Sequence, residues 1–199
     1  MNKEEFIAVV HTATTEQEYL QIVRKYLLHG IPYVFEGREN DYFDFRDNIA
    51  KHFNIGFHEV FIVGSAKLGF SYHKDSYFSL DSDIDVVLVN EHLFELFYSK
   101  ICNYQYEVEK GLTNPTQTQR NQYRKFLEYM IKGWMRPDKL PVSIQNETIK
   151  NNWFDYFRSI SYGKSSVGNY SVSGGLFKNY LYLERYYTES LYKVLHKQI

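Results

Sequence analysis

The sequence predicts an α+β (α/β-like) fold: a small β-sheet flanked by helices, with a helical C-terminal part. Three observations predict it. Two short runs, Val60–Val63 and Asp83–Val89, are rich in β-branched residues and bounded by polar turn residues, as strands are. Apolar residues recur at helical spacing before, between and after them. The resulting alternation of helix and strand excludes an all-α protein.

Taken in order, Thr15-Glu16-Gln17-Glu18 has the form of a capping box. Tyr19, Ile22, Val23, Tyr26 and Leu27 then share one helical face until Gly30-Ile31-Pro32 stops it. Phe45, Ile49, Ala50 and Phe53 predict a second helix, broken at Asn54-Ile55-Gly56 and feeding the first strand. After the second strand, Asn90 is placed to cap a helix whose face carries Leu93, Phe94, Phe97 and Ile101. The alternating stretch Tyr104–Glu109 predicts a short strand. A helix then follows Asn114-Pro115, with proline at its first position and Tyr123, Phe126, Met130 and Trp134 on one face, and Pro137 ends it. Residues 151–160 suit a helix through Trp153, Tyr156, Phe157 and Ile160, and Leu176–Lys197 reads as one long aromatic helix. Gly163-Lys164-Ser165 lacks the earlier glycine and entering strand of a P-loop, so it reads as a loop. The chain is expected to be one domain, 1–199, with a core of about 34–145 and a helical C-terminal appendage of about 146–199.

The two strands carry the chemistry. The first ends in Gly64-Ser65, and the second opens on Asp83-Ile84-Asp85. Side chains alternate along a strand, so Asp83 and Asp85 point to one face and Ile84 and Val86 to the other. Two carboxylates held together repel unless a cation sits between them, and the economical occupant is a divalent metal. Magnesium suits them, with manganese as the alternative, because it binds through one or two carboxylates plus substrate phosphates. Gly64-Ser65 offers the phosphates a place, since glycine permits close backbone approach and the serine hydroxyl and free N–H groups donate. A helix starting there would add its positive end.

These residues, Gly64-Ser65-Ala66-Lys67-Leu68-Gly69 followed by Ser82-Asp83-Ile84-Asp85, resemble the DNA polymerase β-like nucleotidyltransferase superfamily. Their form is most similar to poly(A) polymerases, oligoadenylate synthases and bacterial cyclic-oligonucleotide synthases. The resemblance covers about thirty residues. It implies a small mixed-sheet nucleotidyltransferase core in which Gly64 and Ser65 hold the nucleotide phosphates and Asp83 and Asp85 hold magnesium ions as catalytic residues. Lys67 stands where related families often carry a cation and is divided between phosphate contact and surface. In the long loop from Phe70 to Ser82, His73 and Lys74 are within reach of phosphate but read as solvated. The family's third carboxylate has no clean counterpart here. Asp155 is favoured slightly over Asp138, and Glu107 is the remaining candidate.

The expected activity is transfer of a nucleoside monophosphate from an NTP to an acceptor hydroxyl on protein, RNA or a small molecule, with release of pyrophosphate. The alternative is a catalytically weak or inactive nucleotide- or partner-binding module of the same fold, such as half of a toxin–antitoxin-like pair. Composition narrows the partners. Net charge is −1, so no global basic field recruits nucleic acid. Only the span Lys110–Lys139 is basic, with seven basic against two acidic residues, a local balance of +5. Nineteen Tyr and fifteen Phe are most economically spent on the core. A single Cys102 excludes an intrachain disulfide and a cysteine-based zinc site. Without an apolar run resembling a signal peptide or a bilayer span, no membrane partner is expected and the cytoplasm is the expected location.

Overall fold

The computed structural model describes residues 1–74, 76–137, 140 and 147–196. Among them the chain builds eight α-helices, a four-stranded mixed sheet and a two-stranded hairpin, an α+β fold. Helices α1 (Lys3–Thr12), α2 (Glu16–Ile22) and α3 (Glu39–Phe53) lead into β1 (Val60–Val63) and the one-turn α4 (Gly64–Leu68). A hairpin of β2 (Phe70–Ser71) and β3 (Ser76–Tyr77) precedes β4 (Ile84–Val89). Then come α5 (Glu91–Glu109), α6 (Gln117–Met130), β5 (Trp134–Met135), α7 (Glu147–Ser159), β6 (Val172–Phe177) and α8 (Tyr180–His196).

The sheet runs β1-β4-β6-β5, with β4 antiparallel to β1 and parallel to β6, and β6 antiparallel to β5. Both of its faces are covered. Ile84, Val86, Leu88, Val172 and Leu176 pack on the side of α3, α5, α6 and α7, where Ile49, Phe94, Phe126 and Trp153 are buried. Val63, Val87, Val89 and Phe177 pack on the side of α1, α2 and α8, against Phe6, Leu27, Leu183 and Leu191. A strand buried on both sides reads as a continuous apolar run rather than an alternating one. In Ile84–Val89 only Asp85 breaks the run, so its carboxylate stands out as a group with a task other than packing.

Local signals account for most of the boundaries. Thr15 and Glu18 form the capping box of α2, and the backbone N–H groups of Thr14 and Thr15 hold the Glu18 carboxyl at about 2. Asn90 caps α5 by accepting from the Leu93 N–H. The predicted helix before β1 is α3, ended by Asn54 in the left-handed region at φ 52°.

The structure corrects the sequence reading in several places. The segment from Phe70 to Ser82, read as a loop, contains the β2–β3 hairpin, and Asp83 lies just before β4, which starts at Ile84. Tyr104–Glu109 is the end of α5 and no strand, because Ile101 and Tyr104 continue its buried face. The cap of α6 is Thr116, boxed with Gln119, and Pro115 lies before it. Trp134 belongs to β5, since the helix ends at Met130. Val172–Phe177 is an interior strand, so the segment read as a helical appendage supplies part of the central sheet. That strand evades a periodicity search because Gly174 and Gly175 stand where apolar side chains would mark it. Gly174 is required there: a Cβ at that position would lie 2.2 Å from the Phe157 ring of α7.

Candidate functional site

At its C-terminal end β1 turns through Gly64, whose φ of +67° is open to glycine and strained for other residues. The same glycine lets the turn close onto the neighbouring strand. A Cβ on Gly64 would lie 3.0 Å from Asp85 Oδ2. Asp85 is in register with Val63 on one side and with Ser173 on the other, and accepts a 3.2 Å hydrogen bond from the Ser173 hydroxyl. Val63, Asp85 and Ser173 therefore form one row across three strands, with the glycine-serine turn directly after Val63 and against the carboxylate.

This row is the floor of a cleft of about 570 Å³. Gly64, Ser65, Asp83 and Asp85 all line it, so the sequence-predicted turn and carboxylates are brought together. Asp85 is exposed to the cleft, yet the protein crowded around its carboxyl desolvates it and raises its pKa above the ordinary carboxylate value. The Ser173 hydrogen bond and the positive charges of Arg136 and Lys74 pull it down, while the charge of Asp83 pushes it up. The hairpin β2–β3 supplies one wall, where His73 and Lys74 line the cleft. His73 Nε2 lies 2.8 Å from the Ser190 hydroxyl of α8, which ties the hairpin loop to that helix. Tyr187 of α8 completes the wall, and burial keeps its hydroxyl protonated well above the usual tyrosine range.

Lys67 is placed differently from both sequence alternatives, phosphate contact and surface. Only 7% of it is exposed, it does not line the cleft, and its amine donates to the backbone carbonyls of His29 and Gly30, the latter at 2.9 Å. The cause is the short α4: two residues after Ser65 the helix has turned its side chains inward, against the end of the π-helical turn Val23–Leu28 that continues α2. Burial lowers the Lys67 amine to about 8. α4 is also too short for a helix dipole to count at Gly64.

Of the three candidates for a further acid, Glu107 lies near the end of α5 and Asp155 on α7, and neither lines the cleft. α7 packs on the opposite sheet face through Trp153 and Phe157. Asp138 lies outside the described residues. The side chain beside Asp85 on β6 is the hydroxyl of Ser173. Among the described residues no group of three or more His, Cys, Asp or Glu side chains is arranged to hold a metal ion. Asp83, Asp85 and Ser173 nevertheless present hard oxygen donors of the kind magnesium selects when phosphates complete its shell.

Sequence reasoning missed the β5–β6 side of the cleft, formed by Ser173, Gly175 and Trp134, and the contributions of Tyr186 and Ser190 from α8, and held Arg136 only as one member of the basic span. The basic span divides: Arg136 lines the cleft, whereas Arg120, Arg124 and Lys125 sit on α6 and do not. The Gly163-Lys164-Ser165 loop also lies off the cleft, with the Ser165 hydroxyl donating to the Ile160 carbonyl. No described helix is long and apolar enough to cross a membrane. Comparison with family models, with curated proteins and with solved structures finds no match to this chain.

Proposed function

We propose that the chain is a metal-dependent nucleotidyltransferase of the DNA polymerase β-like kind, moving a nucleoside monophosphate from an NTP to an acceptor hydroxyl. One observation carries the reading: Gly64-Ser65 and Asp83/Asp85, twenty residues apart in sequence, line one cleft with the glycine against the Asp85 carboxylate. A turn without a side chain beside paired carboxylates serves a phosphate–metal complex, and packing alone has no use for it.

In this reading Asp83 and Asp85 hold magnesium or manganese, and Ser65 donates to phosphate oxygens. Lys74 and Arg136, both lining the cleft, take the charge-neutralising part expected of Lys67. When bound, the ion supplies charge neutralisation and Lewis-acid polarisation at the phosphates. The acceptor oxygen forms a bond to the α-phosphorus as the bond to the bridging oxygen breaks. Pyrophosphate leaves with that electron pair, and the hydroxyl proton passes to water. The protein's contribution is positioning and electrostatics, as in phosphoryl transfer generally. The test supplies α-labelled ATP, GTP, CTP and UTP, with magnesium or manganese, to the protein, RNA and small-molecule fractions of a lysate. Label that appears in one fraction and is lost in Asp83→Ala/Asp85→Ala supports transfer, and no mutant-sensitive label with any nucleotide sinks it.

Ser173 beside Asp85 favours a second reading, a nucleotide-binding module with weak or no turnover. Activation of a hydroxyl is aided by a carboxylate at such a place, and a serine supplies no charge. Ser173→Asp separates the readings. A gain in turnover identifies a weak enzyme, and unchanged silence with intact MgATP binding identifies the module.

A further inference from the structure

A second cavity of about 650 Å³ adjoins the cleft. His73, Trp134, Tyr186 and Ser190 line both, so the two spaces share a wall. The chemistry changes across it. The cleft floor carries Asp83 and Asp85, whereas the second cavity is lined by Lys132, Arg185 and Lys193 against one acid, Glu189. These cations come from the turn before β5 and from α8, two elements remote in sequence that converge here. Among them stand accessible rings. Tyr129 is 46% and Tyr186 38% exposed, packed against Trp134 at centroid distances of 4.7 and 5.1 Å. A surface that pairs ring faces with ammonium and guanidinium groups fits a planar base joined to phosphate, because stacking and charge neutralisation are both offered within one cavity. An acidic peptide would use the cations and leave the rings idle.

Resting on the nucleotidyltransferase reading of the neighbouring cleft, we propose that this cavity is the acceptor site and that the acceptor is a nucleotide. Its base stacks on the Tyr129–Trp134–Tyr186 group, its phosphate meets Lys132, Arg185 or Lys193, and its hydroxyl reaches the α-phosphorus of the donor across the shared wall. A free mononucleotide and the 3′ end of a single strand offer the same chemistry.

The test uses the full chain without metal and reads intrinsic tryptophan fluorescence. There are two tryptophans, and Trp153 is only 1% exposed, so a ligand in the cavity reports through Trp134. The probes are AMP, an eight-nucleotide oligoadenylate and a glutamate octapeptide. Quenching by oligoadenylate is expected, with affinity falling tenfold or more in Lys132→Glu/Lys193→Glu. Each lost contact also flattens the plot of log affinity against log salt by roughly 0.7. Quenching by AMP at similar affinity assigns a free nucleotide acceptor, and quenching by the oligomer alone assigns a strand end. No quenching by either, affinities unchanged in the charge-reversed variant, or equal binding of the glutamate peptide overturns the proposal. A parallel titration with MgATP in wild type and Asp83→Asn/Asp85→Asn reports on the donor cleft separately. Oligoadenylate binding without aspartate-dependent MgATP binding overturns the donor reading and leaves the cavity's ligand class standing.

Discussion

Two halves of one sheet meet at the cleft and bring opposite chemistry to it. β1 and β4 deliver Gly64, Ser65, Asp83 and Asp85, a bare turn beside two carboxylates. β6 and β5, with the residue that follows β5, deliver Ser173, Gly175, Trp134 and Arg136: a hydroxyl, backbone bare of a side chain, an indole and a guanidinium. The seam runs along the hydrogen bond from Ser173 to Asp85. Carboxylates on one side of the seam and the Arg136 guanidinium on the other make a site that is polarised, and a metal–polyphosphate complex, itself part cation and part anion, would fit such a site in one orientation. In the proposed function the first half would hold the reacting group, and the second half would orient what it reacts with.

The sharpest way to break that division is to empty the first half. Asp83→Ala/Asp85→Ala is expected to lower transfer by about 10³-fold or more, the scale at which losing an electrostatic clamp acts. Thermal unfolding should stay close to wild type, since both carboxylates face the cleft. Loss of the folded state in that variant would show that the carboxylates are structural.

The second half is held in place by close packing, and Gly174→Val tests it. The new Cβ falls 2.2 Å from the Phe157 ring, so α7 must move off the sheet, and overpacking of this kind costs about 3 kcal/mol. Urea unfolding reads that loss. A stability change near zero would mean that β6 is not locked between β4 and α7.

These two substitutions show why one half was legible in the sequence and the other was not. Gly64-Ser65 end one apolar run, Asp83 opens the next and Asp85 interrupts it, breaks in an apolar pattern that the sequence exposes directly. β6 has glycines at its two central positions, and β5 is two residues long beside a helix of compatible pattern, so neither carries a period. Lys67 failed for a different reason. Its direction depends on where one turn of helix ends, and its burial depends on carbonyls nearly forty residues earlier in the chain, which no local pattern records.

Lys67→Met therefore sharpens the boundary of the first half. The variant keeps the packing volume but leaves the His29 and Gly30 carbonyls without their donor, at a cost of about 1–3 kcal/mol. A pH signature accompanies it. The folded amine titrates near 8 and an unfolded lysine at 10.5, so between those values the unfolded chain holds a proton that the folded chain has released. Stability of wild type relative to Lys67→Met should thus rise from about pH 8 toward 10.5 and stay level below 8. Comparing the two proteins cancels the other titrating groups. Transfer per folded molecule is expected to be unchanged, and a raised KM for NTP would return Lys67 to the phosphate site.

The smallest effect belongs to Lys164, the centre of the Gly163-Lys164-Ser165 stretch. Its loop is anchored away from the cleft: the Ser166 hydroxyl donates to the Asp41 carbonyl, and the Ser166 carbonyl accepts from Arg38, both at the α3 end of the molecule. Lys164 itself is exposed and lines neither the cleft nor the neighbouring cavity. Lys164→Ala is expected to leave transfer within about twofold and unfolding free energy within about 0.5 kcal/mol, the usual range for such a surface position. The comparison is between label incorporation by this variant and by Asp83→Ala/Asp85→Ala under identical conditions. If Lys164→Ala lost transfer to a similar degree, phosphate would be held at the loop, and the polarised seam between β4 and β6 would not be where the nucleotide sits.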